Sequence, residues 1–81
     1  MAVSTSIILR VEMDKTEVSF GEVITSITKA GGDVIAIDVI QPGKHNTVRD
    51  ITVNLTDSAY QRVVDSVRYL PGVRLINVSD R

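Results

Sequence analysis

Cysteine is absent from the 81-residue sequence, which excludes disulfides, a thiolate nucleophile and any cysteine-based zinc site. Aromatic residues are scarce: Phe20, Tyr60 and Tyr69 make up 4% of the chain, so a core must be built from aliphatic side chains. An excess of one charge is also missing. Nine basic and ten acidic residues give a formal net charge of -1, without the positive surplus that neutralises the phosphates of a nucleic acid. No apolar run approaches the roughly 18 residues of a membrane-spanning helix. The first residues lack the charged start and apolar stretch of a signal peptide. No membrane and no nucleic-acid partner are therefore expected, and a cytoplasmic location is.

At 81 residues a single domain over 1–81 is expected, with a core over 5–78 and with Ser79, Asp80 and Arg81 starting a linker or tail. A fold of this size buries only about 60% of the surface that its extended chain exposes. Surface shared with another copy would add to a small core, so self-association is expected.

What is present is clear periodicity. Thr5 to Met13 alternates Ile7, Leu9, Val11 and Met13 against Ile8, Arg10 and Glu12, the period of a strand with one face in a core. Phe20, Val23, Ile24, Ile27 and Ala30 then recur at helical spacing. Ser19 with Glu22 three residues on reads as a capping box, Val18 and Val23 occupy the staple positions, and Gly31-Gly32 can end the helix. Asp33 to Ile40 is apolar on both faces, which predicts cover on its outer side as well. Pro42 to Asn46 is a turn, and Thr47 to Leu55 alternates again. Asp57 or Ser58 is expected to cap a second helix carrying Tyr60, Val63, Val64, Val67 and Leu70, and Pro71-Gly72 precedes a short strand over Val73 to Val78.

The predicted order β-α-β-β-α-β is the split arrangement of an α+β, ferredoxin-like fold: a four-stranded antiparallel sheet with two helices on one face. Right-handed crossovers place the first and third strands in the middle. The face without helices is expected to be partly apolar, with Ile8, Val34 or Ile40 on or near it.

No catalytic set can be assembled. The single histidine, His45, sits in a Pro-Gly-Lys turn without companion ligands, and proton transfer or nucleophilic attack needs complementary groups within hydrogen-bond reach. The chain alone is expected to be no enzyme and to hold neither metal nor cofactor. The ligand-capable element is the segment Asp14 to Ser19, because it delivers the amides that open the first helix. Asp38 interrupts an apolar strand, so it is either exposed at an edge or held across an interface, with Arg49-Asp50 as a facing pair.

The strings Ala30-Gly31-Gly32-Asp33-Val34, Ala36-Ile37-Asp38-Val39, Val48-Arg49-Asp50-Ile51-Thr52-Val53-Asn54, Leu70-Pro71-Gly72-Val73 and Asn77-Val78-Ser79-Asp80-Arg81 resemble the ACT domain found at the N-terminus of bacterial NAD(P)-dependent malic enzymes. The likeness runs from about Ser6 to Arg81. It implies a non-catalytic regulatory module that dimerises through sheet edges or a sheet face, takes an amino acid or small carboxylate, and serves the catalytic domain of a malate oxidoreductase. By position, the resemblance implies a ligand site at Asp14, Lys15, Thr16, Glu17, Val18, Ser19, Phe20 and Gly21, with Ala36, Ile37 and Asp38 from the second strand. Where that family usually has Pro-Gly, this chain has Glu17-Val18. The alternative is an oligomerisation module with no small-molecule ligand.

Overall fold

In the computed structural model, which describes residues 4–80, Ile7, Leu9, Val11 and Met13 are each at most 1% exposed. Strand β1 (Ser4–Asp14) thus turns alternate side chains into the core, as its period requires. β1 and β3 (Asn46–Thr56) are the central strands of a four-stranded sheet in the order β2-β3-β1-β4, with β2 (Asp33–Gln41) and β4 (Val73–Asp80) at its edges. Every pairing is antiparallel. Helices α1 (Phe20–Lys29) and α2 (Tyr60–Arg68) bury Val23, Ile27, Val63, Val64 and Val67 in the same cluster as the inward residues of β1 and β3. The fold is the ferredoxin-like α+β arrangement.

The ends of α1 follow from local chemistry. Ser19 Oγ accepts the Glu22 N–H at 3.1 Å and donates to Glu22 Oε1 at 3.3 Å, so the carboxylate meets the capping hydroxyl rather than the Ser19 amide of a reciprocal box. At the other end Gly31 adopts φ 106°, and the Gly31 and Gly32 amides bond Thr28 and Ile27 carbonyls at 3.1 and 3.0 Å. That pair of bonds is a Schellman closure, which needs a residue free to take positive φ. α2 begins differently from the sequence expectation. A 3-10 turn over Asp57–Ala59 leads into it and no side chain caps it; the turn satisfies the first amides instead.

Two further expectations are corrected. Ser79 and Asp80, expected in a tail, are the last residues of β4 and pair with Ile8 and Ile7; Arg81 lies outside the described residues. Val34 is not on the open face: an irregularity between Val34 and Ala36 places it opposite Val53, on the helix side, because one inserted residue reverses the alternation. The open face, expected to be partly apolar, carries Ile8 and also a polar set. Arg10 donates through Nε and Nη2 to the two Asp50 carboxylate oxygens at 2.8 and 2.9 Å, Arg74 pairs Glu12 at 3.0 Å, and Ser6 donates to Asn54 at 3.0 Å.

The exposed apolar surface lies instead along β2. Leu9 and Ile51 are opposite one another and 0% exposed, while Ile37, next in the same row, is 43% exposed. The helices' cover therefore stops at β3. Ile35, Val39 and Ile40 are likewise 46%, 57% and 46% exposed.

Candidate functional site

Asp14 shapes the turn that follows β1. Its Oδ1 accepts from the Thr16 amide at 2.9 Å and the Thr16 hydroxyl at 2.6 Å, and its carbonyl accepts from the Glu17 and Val18 amides at 3.0 and 3.1 Å. Two outside anchors fix the turn: the Lys15 amide bonds the His45 carbonyl at 2.6 Å, and the Asp14 amide bonds that of Gly72 at 2.8 Å. The amides of Lys15, Thr16, Glu17 and Val18 are thus all engaged within the fold. At the start of α1, Ser19 Oγ takes the Glu22 amide, and the described residues supply no acceptor for the Phe20 and Gly21 amides.

The two flanks of this turn differ in charge. On one side a shallow notch of about 260 Å³ is bordered by Glu12, Asp14, Glu17 and Arg74, a surface that repels an anion. On the other, the Arg49 guanidinium carbon lies over the Phe20 ring, 4.1 Å from its centroid. Arg49 stands on β3 opposite Val11 and Val39, on the helix side, and its Nε is buried with no hydrogen-bond partner. A cation over the ring of Phe20, the first residue of α1, can receive a carboxylate. Sequence reasoning had taken Arg49 only as a neighbour for Asp38. Its phase was the available signal, since it alternates with Ile51, Val53 and Leu55 on the core side.

The expected site residues fall into separate groups. Lys15, Thr16 and Glu17 are exposed in the closed turn, Val18 is buried at 3% exposure, Ser19 caps α1, and Phe20 and Gly21 form its first turn. Ile37 lies on the helix side, as Phe20 does. Ala36 and Asp38 point the other way, opposite Thr52 and Asp50 on the open face. Asp50 does face Asp38, yet both its oxygens are taken by Arg10. Among the described residues no three His, Cys, Asp or Glu side chains converge as a metal site, and no helix is long and apolar enough to cross a membrane.

Two carboxyls are held below the usual carboxylate range: Asp50 by its hydrogen bonds from Arg10, Asp14 by those from the Thr16 side chain and amide. A depressed folded value means that the charged form supports the fold above the unfolded value and that this support is lost as pH falls through the folded one. Stability should therefore decline with acid from about pH 4 downward. Asp50→Asn should make that decline shallower, as read from urea midpoints between pH 2 and pH 7; an unchanged slope would remove Asp50 as a contributor.

No protein-family model matches the chain. Among curated proteins it is similar to an NAD-dependent malic enzyme of Geobacillus stearothermophilus, 42% identical over 77 residues that cover 94% of this chain and 16% of that protein. It is also similar to NAD-dependent malic enzyme 1 of Bacillus subtilis (strain 168), 34% identical over 74 residues, 89% of this chain and 17% of that one. The chain is thus related over most of its length to one segment of NAD-dependent malic enzymes, and it spans only 16% and 17% of these two relatives.

Proposed function

We propose that the chain is a non-catalytic regulatory module of the ACT type, part of an NAD-dependent malate oxidoreductase, that binds a small carboxylate-bearing effector such as an amino acid and pairs with a second copy. One arrangement supports the ligand reading: Arg49, over the ring of Phe20 with its Nε unpartnered, on the residue that opens α1. The carboxylate would sit on this flank and not in the acidic notch. The module has no catalytic role in this reading, so nicotinamide and malate would be handled by the remainder of the parent enzyme. An effector held between two copies would favour one of their relative arrangements. It would bias the attached catalytic parts by its difference in affinity for the two states, typically about 1–3 kcal/mol, or roughly 5- to 150-fold.

The test is thermal and urea stability of the protein titrated with amino acids and four-carbon dicarboxylates. A specific ligand at about 100 times its dissociation constant should add roughly 2.7 kcal/mol, and Arg49→Gln should abolish that gain while leaving the unliganded protein folded. A second reading, assembly without any effector, is favoured by the complete internal use of the Lys15 to Val18 amides. A stable dimer in sedimentation whose stability no metabolite alters would select it.

A further inference from the structure

Among the described residues, the buried side-chain polar atoms without a hydrogen-bond partner are Thr47 Oγ1 and Arg49 Nε, and both belong to β3. Thr47 lies opposite buried Met13 and Arg49 opposite buried Val11, so both turn to the helix side of the sheet. Buried polar groups are nearly always satisfied, and each exception calls for a reason. Alternate residues of a strand project side by side, about 6.6–6.8 Å apart at Cα. One small ligand can therefore reach both.

We propose that Thr47 and Arg49 form one subsite that takes an acid bearing a hydroxyl or keto oxygen on the carbon next to its carboxylate, in preference to the matching amino acid. The inference rests on the carboxylate reading of Arg49 given above and narrows the class of ligand. Arg49 holds the carboxylate, and Thr47 meets the oxygen beside it.

The selection follows from what the face offers. A hydroxyl has one O–H and two lone pairs, so Thr47 can donate to a keto oxygen or exchange a bond with another hydroxyl. An ammonium brings three N–H groups and a charge. Around it here, Val11 and Val39 flank Arg49 across the sheet, Ile51 follows along β3, Met13 faces Thr47, and the Phe20 ring lies under the guanidinium. All of these are apolar. An ammonium bonded to Thr47 would keep N–H groups unpaired next to a guanidinium of like charge, a cost that burial enlarges. The nearby carboxylates are placed or engaged elsewhere: Glu12, Asp14 and Glu17 border the notch on the other flank, and Glu22 takes the Ser19 hydroxyl. Thr47 is 4% exposed, so a ligand reaches it only when a covering side chain moves. Phe20, half-buried at the start of α1, uncovers the guanidinium if its ring rotates.

Two matched series test the selection. Succinate, L-malate and L-aspartate share one carbon skeleton and differ in carrying hydrogen, hydroxyl or ammonium beside a carboxylate; propionate, L-lactate, pyruvate and L-alanine repeat the comparison with one carboxylate and a keto acid. In calorimetric titration of the protein, the hydroxy or keto acid of at least one series should bind about 10-fold tighter than both the unsubstituted and the amino acid, the yield of one well-made hydrogen bond. Thr47→Val keeps the side-chain shape and removes the hydroxyl. It should bring that acid down to the affinity of the unsubstituted one with no loss of thermal stability, and Thr47→Ser should keep the preference. A preference for the amino acid that Arg49→Gln abolishes would overturn the selection while leaving the carboxylate reading intact. A hydroxy-acid preference that survives Thr47→Val would overturn the role of Thr47, whose hydroxyl would then serve a trapped water. Binding of none of these acids would overturn the subsite and the carboxylate reading together.

Discussion

Leu9→Ala is expected to lower the free energy of unfolding by about 2–5 kcal/mol. Leu9 is 0% exposed on a central strand, opposite Ile51 on one side and Val78 on the other, beneath the buried residues of both helices. Truncation removes three carbons' worth of burial and leaves a void that rigid neighbours close only in part. A domain of 81 residues has a total stability of roughly 4–12 kcal/mol at the usual yield per residue. The loss is therefore a large fraction of the whole, and it should appear as a lower urea midpoint with an unchanged slope. Ile8→Ala, one residue away on the open face, should cost about 1 kcal/mol or less. Equal effects at the two positions would contradict the alternation of β1.

Gly32→Ala is expected to cost roughly 1–3 kcal/mol through overpacking. A Cβ at this buried position would stand 2.7 Å from Ile27 Cγ2 and 2.7 Å from Val53 Cγ1, with the Ile27 carbonyl oxygen at 3.2 Å. Neither methyl belongs to a long flexible chain that can swing aside, and both sit in the core between α1 and β3. The neighbouring glycine is constrained differently. Gly31 has φ 106° and comparatively more room, its nearest neighbour being Ala59 Cβ at 3.3 Å, so the main obstacle there is backbone conformation. Gly31→Asn should accordingly be milder than Gly31→Val, because asparagine enters the left-handed region more readily. Equilibrium urea unfolding separates the two mechanisms. A neutral Gly32→Ala would mean that the α1–β3 contact is loose.

The element order was legible in the residues because it depends on spacing along the chain. Ile7, Leu9, Val11 and Met13 reveal β1 without knowledge of its partners, and Ser19 and Gly31-Gly32 mark the ends of α1 by their own chemistry. The features that escaped depend on what lies across the sheet. The irregularity beside Val34 is defined only relative to β3, so simple alternation assigned Val34 to the wrong face. The polar character of the open face depends on Arg10 meeting Asp50, forty residues away in the chain, and no local window contains both. The reach of β4 to Asp80 is likewise fixed by pairing with Ile7, not by the propensities of Ser79 and Asp80. For the candidate site, the segment opening α1 was legible, but the internal bonding of the Asp14 turn was not: its anchors are the His45 and Gly72 carbonyls, from distant loops. The separation of Ile37 from Ala36 and Asp38 follows from strand pleating once the pairing is known.

The two margins of the sheet differ in what they would offer another copy. A molecule adhesive along both borders would add copies without limit and form ribbons or fibres. Here the far border carries Arg74, Asn77, Ser79 and Asp80, and an irregular step in its pairing opposite Arg10 and Val11 breaks the run of groups that a newcomer would have to match. Were copies to join through β2 alone, the assembly would close at its first addition, with rims that are polar apart from Ile76 turned outward at either end.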